Sequence, residues 1–445
     1  MNNYEFYELL LNNSSLYAWL CVAVLLAYGV IFWRTIKSIL DPFLLSVFFS
    51  AMGTVTVFFL YFTNSLSNEV FLSYVFTLSA YYIGFFTLSR IKIRHKFIIV
   101  EIPDDTSRMM KAALVYFTIA MVVCHCIAYV QRGIPLFMIS RLDAFTGGTG
   151  FGVVARFMEV TIVAVIYLYI ALLLQRKTVG FVWQYHICIF LALIFLFLSG
   201  SKSSVMTITS VLFCYILLNR FNYTLQKLNI LQKIKKILPL AILLLLVFSL
   251  VVIIIQSTQM ENFDNPFFLL GLRFVHSGDV YWYSFPYNIY MKLDSSRPFQ
   301  SLFVDLLGFL RIYDWKELPE HMGITLMKIQ HAGQEATYGP NARINVFGLV
   351  YFGLYGSILF SFVVGIIVGF VRFLLVEILP KNFFAGILFT LIYLKVSGFD
   401  IDPLLTFTGL NNALLIYPLL VLIFLLLFSI LNFLSFRNNN SFKND

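Results

Sequence analysis

The sequence predicts an all-α polytopic membrane protein with about eleven transmembrane helices and one long polar loop. Three observations predict it. Of the 445 residues, 60% are hydrophobic and only 12% charged, with a mean hydropathy of +0.86. That composition excludes an ordinary soluble protein. Apolar runs of bilayer length recur along the chain, and none alternates as a membrane β-strand does. Lipid offers the backbone no hydrogen-bond partners, so such runs must be helices.

In chain order the runs fall near 16–33, 42–62, 70–89, 112–130, 152–174, 179–198, 204–219 and 237–255. After a polar gap they resume near 346–371, 383–399 and 413–434. The chain thus divides into an N-terminal bundle of about eight helices (1–255), a large loop (256–345), and a part with about three helices and a tail (346–445).

Lysine and arginine set the orientation. The connections Arg34–Lys37, Arg90–Lys111, Arg176–Lys177 and Arg220–Lys236 are basic, as more weakly are Arg372–Lys381 and the tail from Arg437. With eleven spans all of these fall on one side, the cytoplasm, and the long loop lies outside. The net charge of +9 mostly reflects this bias, and no soluble basic module is present to bind nucleic acid. The first fifteen residues carry no basic n-region and do not read as a cleaved signal. All five cysteines sit inside expected spans, so no disulfide framework is implied. Cys124, His125 and Cys126 look like a metal cluster on paper, but residues two apart on a helix point in different directions.

The first three spans are uniformly apolar and read as scaffold. Gly133 and Pro135 end the fourth, and a glycine cluster (Gly147, Gly148, Gly150, Gly152) follows Arg141 in an outer loop. Glycine lets backbone N–H groups approach an anion, although it also simply makes turns. Arg156 and Glu159, three apart near the start of the fifth span, can face each other as a helix-locking pair or at the rim of a polar cavity. Lys202 sits among hydroxyls in the turn Ser199–Ser204 at a helix start, a candidate phosphate site or a solvated turn. His125 and His186 lie within spans and read as packing residues.

The loop is dense in aromatics, which argues against disorder, and its length argues for function. Arg273, His276 and Asp279 fall in one stretch, where a helix would put Arg273 and His276 on one face and likewise His276 and Asp279; Tyr281, Trp282, Tyr283 and Tyr287 follow, either a sugar-stacking platform or an amphipathic segment at the membrane surface. Arg297, Arg311, His321, His331, Glu335 and Arg343 follow. Beyond them, Gly365 and Gly369 make a GxxxG spacing that suits close helix packing, and Lys395, Asp400 and Asp402 lie at the outer surface.

This layout resembles the Wzy-type O-antigen polymerases, the oligosaccharide repeat-unit polymerase family. The resemblance rests on GIPLF with the following Arg141, the SGSKSS turn, the long loop, and the stretch Tyr338–Gly356 before a glycine-rich span. Some members carry an R-x10-G pattern in two periplasmic loops, and Arg141 with Gly152 and Arg297 with Gly308 have that spacing. The resemblance implies a fold like the glycosyltransferase C class, shared with O-antigen ligases, in the bacterial inner membrane with its active site facing the periplasm. Its substrates would be undecaprenyl-pyrophosphate-linked oligosaccharides, its surroundings membrane lipid, and a chain-length regulator protein a possible partner.

A departing lipid diphosphate needs its developing charge stabilised, and arginine matches phosphate oxygens with two prongs. Arg273, Arg311 and Arg343 are the first candidates, with Arg141, Arg156, Arg297 and Lys202 as further substrate contacts. The acceptor hydroxyl needs orientation and a proton acceptor. His321 is the first choice, ahead of His276, His331 and Glu335, with Tyr338 as a substrate contact. No cluster has metal-ligand spacing, so the expectation is an enzyme without metal or other cofactor. The O-antigen ligase is the alternative enzyme. A repeat-unit flippase is the alternative transporter, disfavoured because flippases generally have short loops on both sides.

Overall fold

The computed structural model describes residues 1–91, 104–138, 151–174, 183–201, 204–219, 274–331, 339–380 and 382–441, with a few isolated positions between 247 and 272. Among the described residues there are helices and turns but no strand. In chain order the principal helices are α1 (Asn3–Asn12), α2 (Ser14–Phe32), α3 (Pro42–Phe62), α4 (Asn68–Thr87) and α5 (Asp104–Arg132). Next come α6 (Phe151–Leu174), α7 (Tyr185–Leu198), α8 (Ser204–Leu218), α9 (Asp279–Ser284) and α10 (Met322–Gln330). The last are α11 (Ile344–Gly369), α12 (Phe383–Val396), α13 (Pro403–Asn411) and α14 (Tyr417–Ser441). Seven helical segments of the described residues are long and apolar enough to cross a membrane, and α7, α12 and the Met206–Leu218 part of α8 are shorter apolar helices. The protein is therefore an all-α polytopic membrane protein. The expected span near 237–255 lies almost wholly outside the described residues.

Local sequence explains where these helices begin. Asn2 accepts from the Glu5 backbone N–H and the Glu5 carboxylate accepts from the Asn2 N–H, a capping box that starts α1. Asp41 caps α3 ahead of Pro42, whose missing N–H costs nothing at that position. Ser67 caps α4.

The chain forms two compact units, each assembled from separate stretches. The first comprises 1–93, 260–378 and 392–410, and the second 94–259, 379–391 and 411–445.

In the first unit, α11 is two helices rather than one. Gly353 has φ +65° and ψ −172°, outside helical space and a region that essentially only glycine occupies. In a straight helix Phe347 and Phe360 would stand about 20 Å apart along the axis, yet their ring centroids are 5.7 Å apart. The chain folds back at Gly353 into a hairpin. Its short arm, Ile344–Phe352, is about 13 Å long, less than half a bilayer core. The long arm lies against α4 with almost no side chain between the backbones: a Cβ on Gly365 would sit 2.1 Å from the Tyr81 carbonyl, and one on Gly84 2.2 Å from that of Phe362. The small-residue spacing at Gly365 and Gly369 thus does the packing expected of it, since Gly369 meets the Phe85 carbonyl in the same way.

Also in this unit, Arg372 is fully buried. It pairs with both carboxylate oxygens of Asp41 (2.6 and 3.2 Å), donates to the Thr35 carbonyl and the Tyr393 hydroxyl, and lies over the Phe43 ring. In the second unit α5 and α6 pack through Ala128 and Met158. His125 is buried there, its Nδ1 on the Met121 carbonyl and its ring stacked on Phe195, the packing role expected of it.

Candidate functional site

Three polar clusters of the first unit concern function. The deepest lies at the start of the short arm. Arg343, 2% exposed, donates from one terminal nitrogen to the carbonyls of Phe49 (2.9 Å) and Ser277 (2.6 Å). Its other terminal nitrogen lies 3.8 Å from the Asp400 carboxylate. Its Nε has no hydrogen-bond partner among the described residues. Asn345 donates to Thr77 and accepts from the Tyr281 hydroxyl, and Thr54 links the hydroxyls of Tyr28 and Tyr74 nearby. Phe49 and Thr77 are central residues of α3 and α4. Arg343, expected in the outer loop, therefore lies level with the middle of the helices around it. The reason is the hairpin, whose short arm starts halfway along the neighbouring helices. Burial raises the pKa of Asp400 to about 6, only partly offset by the Arg343 charge.

The second cluster joins the N-terminus to the long stretch. Ser277–Ser284 runs alongside α3, with Gly278 against Thr56, where a Cβ would come within 2.4 Å of the threonine oxygen. His276 and Asp279 share a face as their three-residue spacing predicts, with Nδ1 and Oδ2 4.0 Å apart. His276 Nε2 lies 2.6 Å from the Tyr7 hydroxyl. The aromatic run does not form an open stacking platform: Tyr281, Trp282 and Tyr283 are buried, and Trp282 stacks on Phe6 at 4.0 Å and donates to Asn3.

The third cluster is a pocket of about 100 Å³ lined by Asp294, Arg297, Ser301, Glu320, Thr325 and Tyr351 among others. Arg297 donates to the Glu317 carbonyl at 2.9 Å and lies 3.9 Å from Asp294. Lys328 and Thr325 hold Glu320, the lysine at 2.5 Å. Gly308 serves packing here, since a Cβ would stand 2.7 Å from the ring of Trp315, two residues before the carbonyl that fixes Arg297.

The remaining candidates distribute as follows. His321 lies beside this pocket with part of its surface open to solvent; the protein packed around its ring lowers its pKa, against the opposing charges of Asp305 and Glu320. Arg311 is exposed on a left-handed turn (φ +57°) and lines none of the three clusters. His331 is half-buried at the end of α10. In the second unit Arg156 is buried, and Asn412 bridges it to Glu159, accepting from Arg156 (3.0 Å) and donating to the carboxylate (2.6 Å). Arg141, Lys202, Arg273, Glu335 and Tyr338 lie outside the described residues.

Tyr7 and Asn412 carry no motif. The signal for Asn412 is an amide at the edge of a long apolar run, which is costly in lipid unless partnered. For Tyr7 it is the capping box, which marks a short helix ahead of the first span. No known protein family, curated protein or solved structure matches this chain.

Proposed function

We propose that the chain is a membrane glycosyltransferase of the O-antigen polymerase kind, with eleven spans and the 256–345 stretch facing the periplasm of the bacterial inner membrane. It transfers a glycan from undecaprenyl pyrophosphate onto a lipid-linked repeat unit without a metal. The observation that carries the reading is the pocket at Arg297. It combines carboxylates and hydroxyls for sugar hydroxyls, the Tyr351 side chain, and a guanidinium with one nitrogen fixed on a carbonyl. A cation beside sugar-binding groups suits a substrate that is a glycan joined to a diphosphate. Arg343 supports the same reading as a second, buried guanidinium whose Nε has no described partner.

Reconstitution with lipid-linked repeat units tests it. The wild-type chain should lengthen glycans without added metal. Arg297→Ala should slow extension about 100-fold, and Arg297→Lys should restore part of it, because a point charge lacks the fork. Transfer of single repeat units to lipid A core instead of chain extension would identify a ligase. Movement of intact repeat units across the bilayer without any new bond would identify a flippase.

A further inference from the structure

The reaction proposed above requires a group that takes the proton of the acceptor hydroxyl. His321, first choice on sequence alone, has no hydrogen bond orienting its ring among the described residues, and the neighbouring Glu320 is already engaged by Lys328 at 2.5 Å. His276 has a different setting. One ring nitrogen meets the Tyr7 hydroxyl at 2.6 Å and the other faces the Asp279 carboxylate at 4.0 Å. The His276 and Asp279 side chains keep 32% and 22% of their exposure, so both remain reachable.

Protonation states follow from the surroundings. Burial, reinforced by the charge of Asp279, pushes the Tyr7 phenol up to about 12, so it keeps its proton at neutral pH. The Asp279 carboxylate on the Nδ1 side favours the ring proton of neutral His276 on that nitrogen, and in that tautomer the phenol donates to Nε2. That tautomer presents Nε2 as the basic nitrogen, with a carboxylate behind Nδ1 to hold the imidazolium once it forms. Among the described residues, the groups facing the ring include Tyr7 from α1, Asp279 from its own stretch and the indole of Trp282, while α3 offers neutral Thr56 and Gly53 at the adjacent Gly278. The mount is rigid: the capping box fixes the start of α1, Phe6 stacks on Trp282, and Asn3 accepts from its indole N–H. Tyr7 itself is only half-buried, so its ring has room to turn aside.

We infer that His276, oriented by Asp279, is the general base for the acceptor hydroxyl, and that the Tyr7 hydroxyl occupies the acceptor's place until a glycan arrives. The inference rests on the glycosyl-transfer reading, with Arg343, which donates to the Ser277 carbonyl beside His276, as the guanidinium that meets the diphosphate. In the reaction the acceptor O–H proton passes to His276 Nε2 as the acceptor oxygen bonds to the anomeric carbon. The bond from that carbon to the lipid pyrophosphate breaks, and its electron pair leaves with the diphosphate. The imidazolium, paired with Asp279, then releases the proton to water.

Two measurements on the full chain in lipid nanodiscs test this. The first needs no substrate: diethylpyrocarbonate acylates neutral imidazole, and mass spectrometry follows His276 as a function of pH. Tyr7→Phe should speed acylation of His276 several-fold by uncovering Nε2, and Asp279→Asn should lower the apparent pKa of His276 by about one unit. Unchanged reactivity in Tyr7→Phe together with an unmoved pKa in Asp279→Asn overturns the inference. The second measurement is extension of lipid-linked repeat units. His276→Gln should lower the rate about 100-fold or more, whereas Tyr7→Phe should lower the acceptor KM. Should His276→Gln fail to fold, Asp279→Asn decides, because the acid limb of its pH–rate profile must move down with the histidine pKa. A wild type that extends glycans beside an equally active, folded His276→Gln overturns this assignment alone. A wild type that extends nothing overturns the polymerase reading and the assignment with it.

Discussion

Arg343 and Asp400 form a pair in which burial outweighs attraction. Their charged atoms stand 3.8 Å apart, too far for a close hydrogen bond, yet both residues are buried. Removing one partner strands the other charge in a low-dielectric core, which costs about 3–5 kcal/mol. Arg343→Met should therefore lower the thermal midpoint strongly in detergent, and Arg343→Met with Asp400→Leu should recover much of the loss. Equal midpoints for the single and double variants would refute this account. The carboxylate also predicts a pH dependence. The pKa of Asp400 rises from 3.8 to about 6 on folding, and that of Asp402 does likewise, both chiefly by burial. Between these values the folded chain binds more protons than the unfolded one, so stability falls as pH rises through that window. A midpoint measured at pH 4.5 should exceed that at pH 7, and Asp400→Asn should reduce the difference, leaving the part due to Asp402.

At the scale of the element, the hairpin in α11 is the feature that hydropathy could not convey. The apolar run continues through Gly353 without a break, because both arms lie among apolar neighbours. A window average therefore reads one span where the backbone makes a short arm and a crossing arm. Gly353→Ala should destabilise by about 1–3 kcal/mol, since a Cβ is strained at this φ and ψ. Spin labels at Val346 and Ile358 should then report a longer distance between the arms. An unchanged distance and midpoint would show that the turn does not depend on glycine. The close approach at Gly365 was legible, because the GxxxG spacing has a direct packing meaning. The pairing of Arg156 with Glu159 was legible only in part: spacing brings them near each other, but Asn412, more than two hundred and fifty residues away, makes the bridge.

For the whole molecule, the proposed orientation is open to direct measurement. Ser296 is exposed, in the stretch assigned to the periplasm. Ser296→Cys should react with a membrane-impermeant thiol reagent in intact cells, while Asn444→Cys in the tail should react only after the membrane is opened. The reverse pattern would end the polymerase reading. For the first measurement the five native cysteines should be replaced, since Cys126 is exposed.

The sequence by itself determined that this protein is a bundle of apolar helices and, at residue level, that His276 and Asp279 share a face. Both follow from near-neighbour physics: backbone groups in lipid must bond within their own segment, and residues three apart on a helix meet. Only the tertiary structure decided that Arg343 is buried among carbonyls, that Arg297 lines a pocket, and that Tyr7 meets a histidine 269 residues further on. Those contacts depend on where the chain doubles back, and a turn inside a uniformly apolar run leaves no mark in hydropathy.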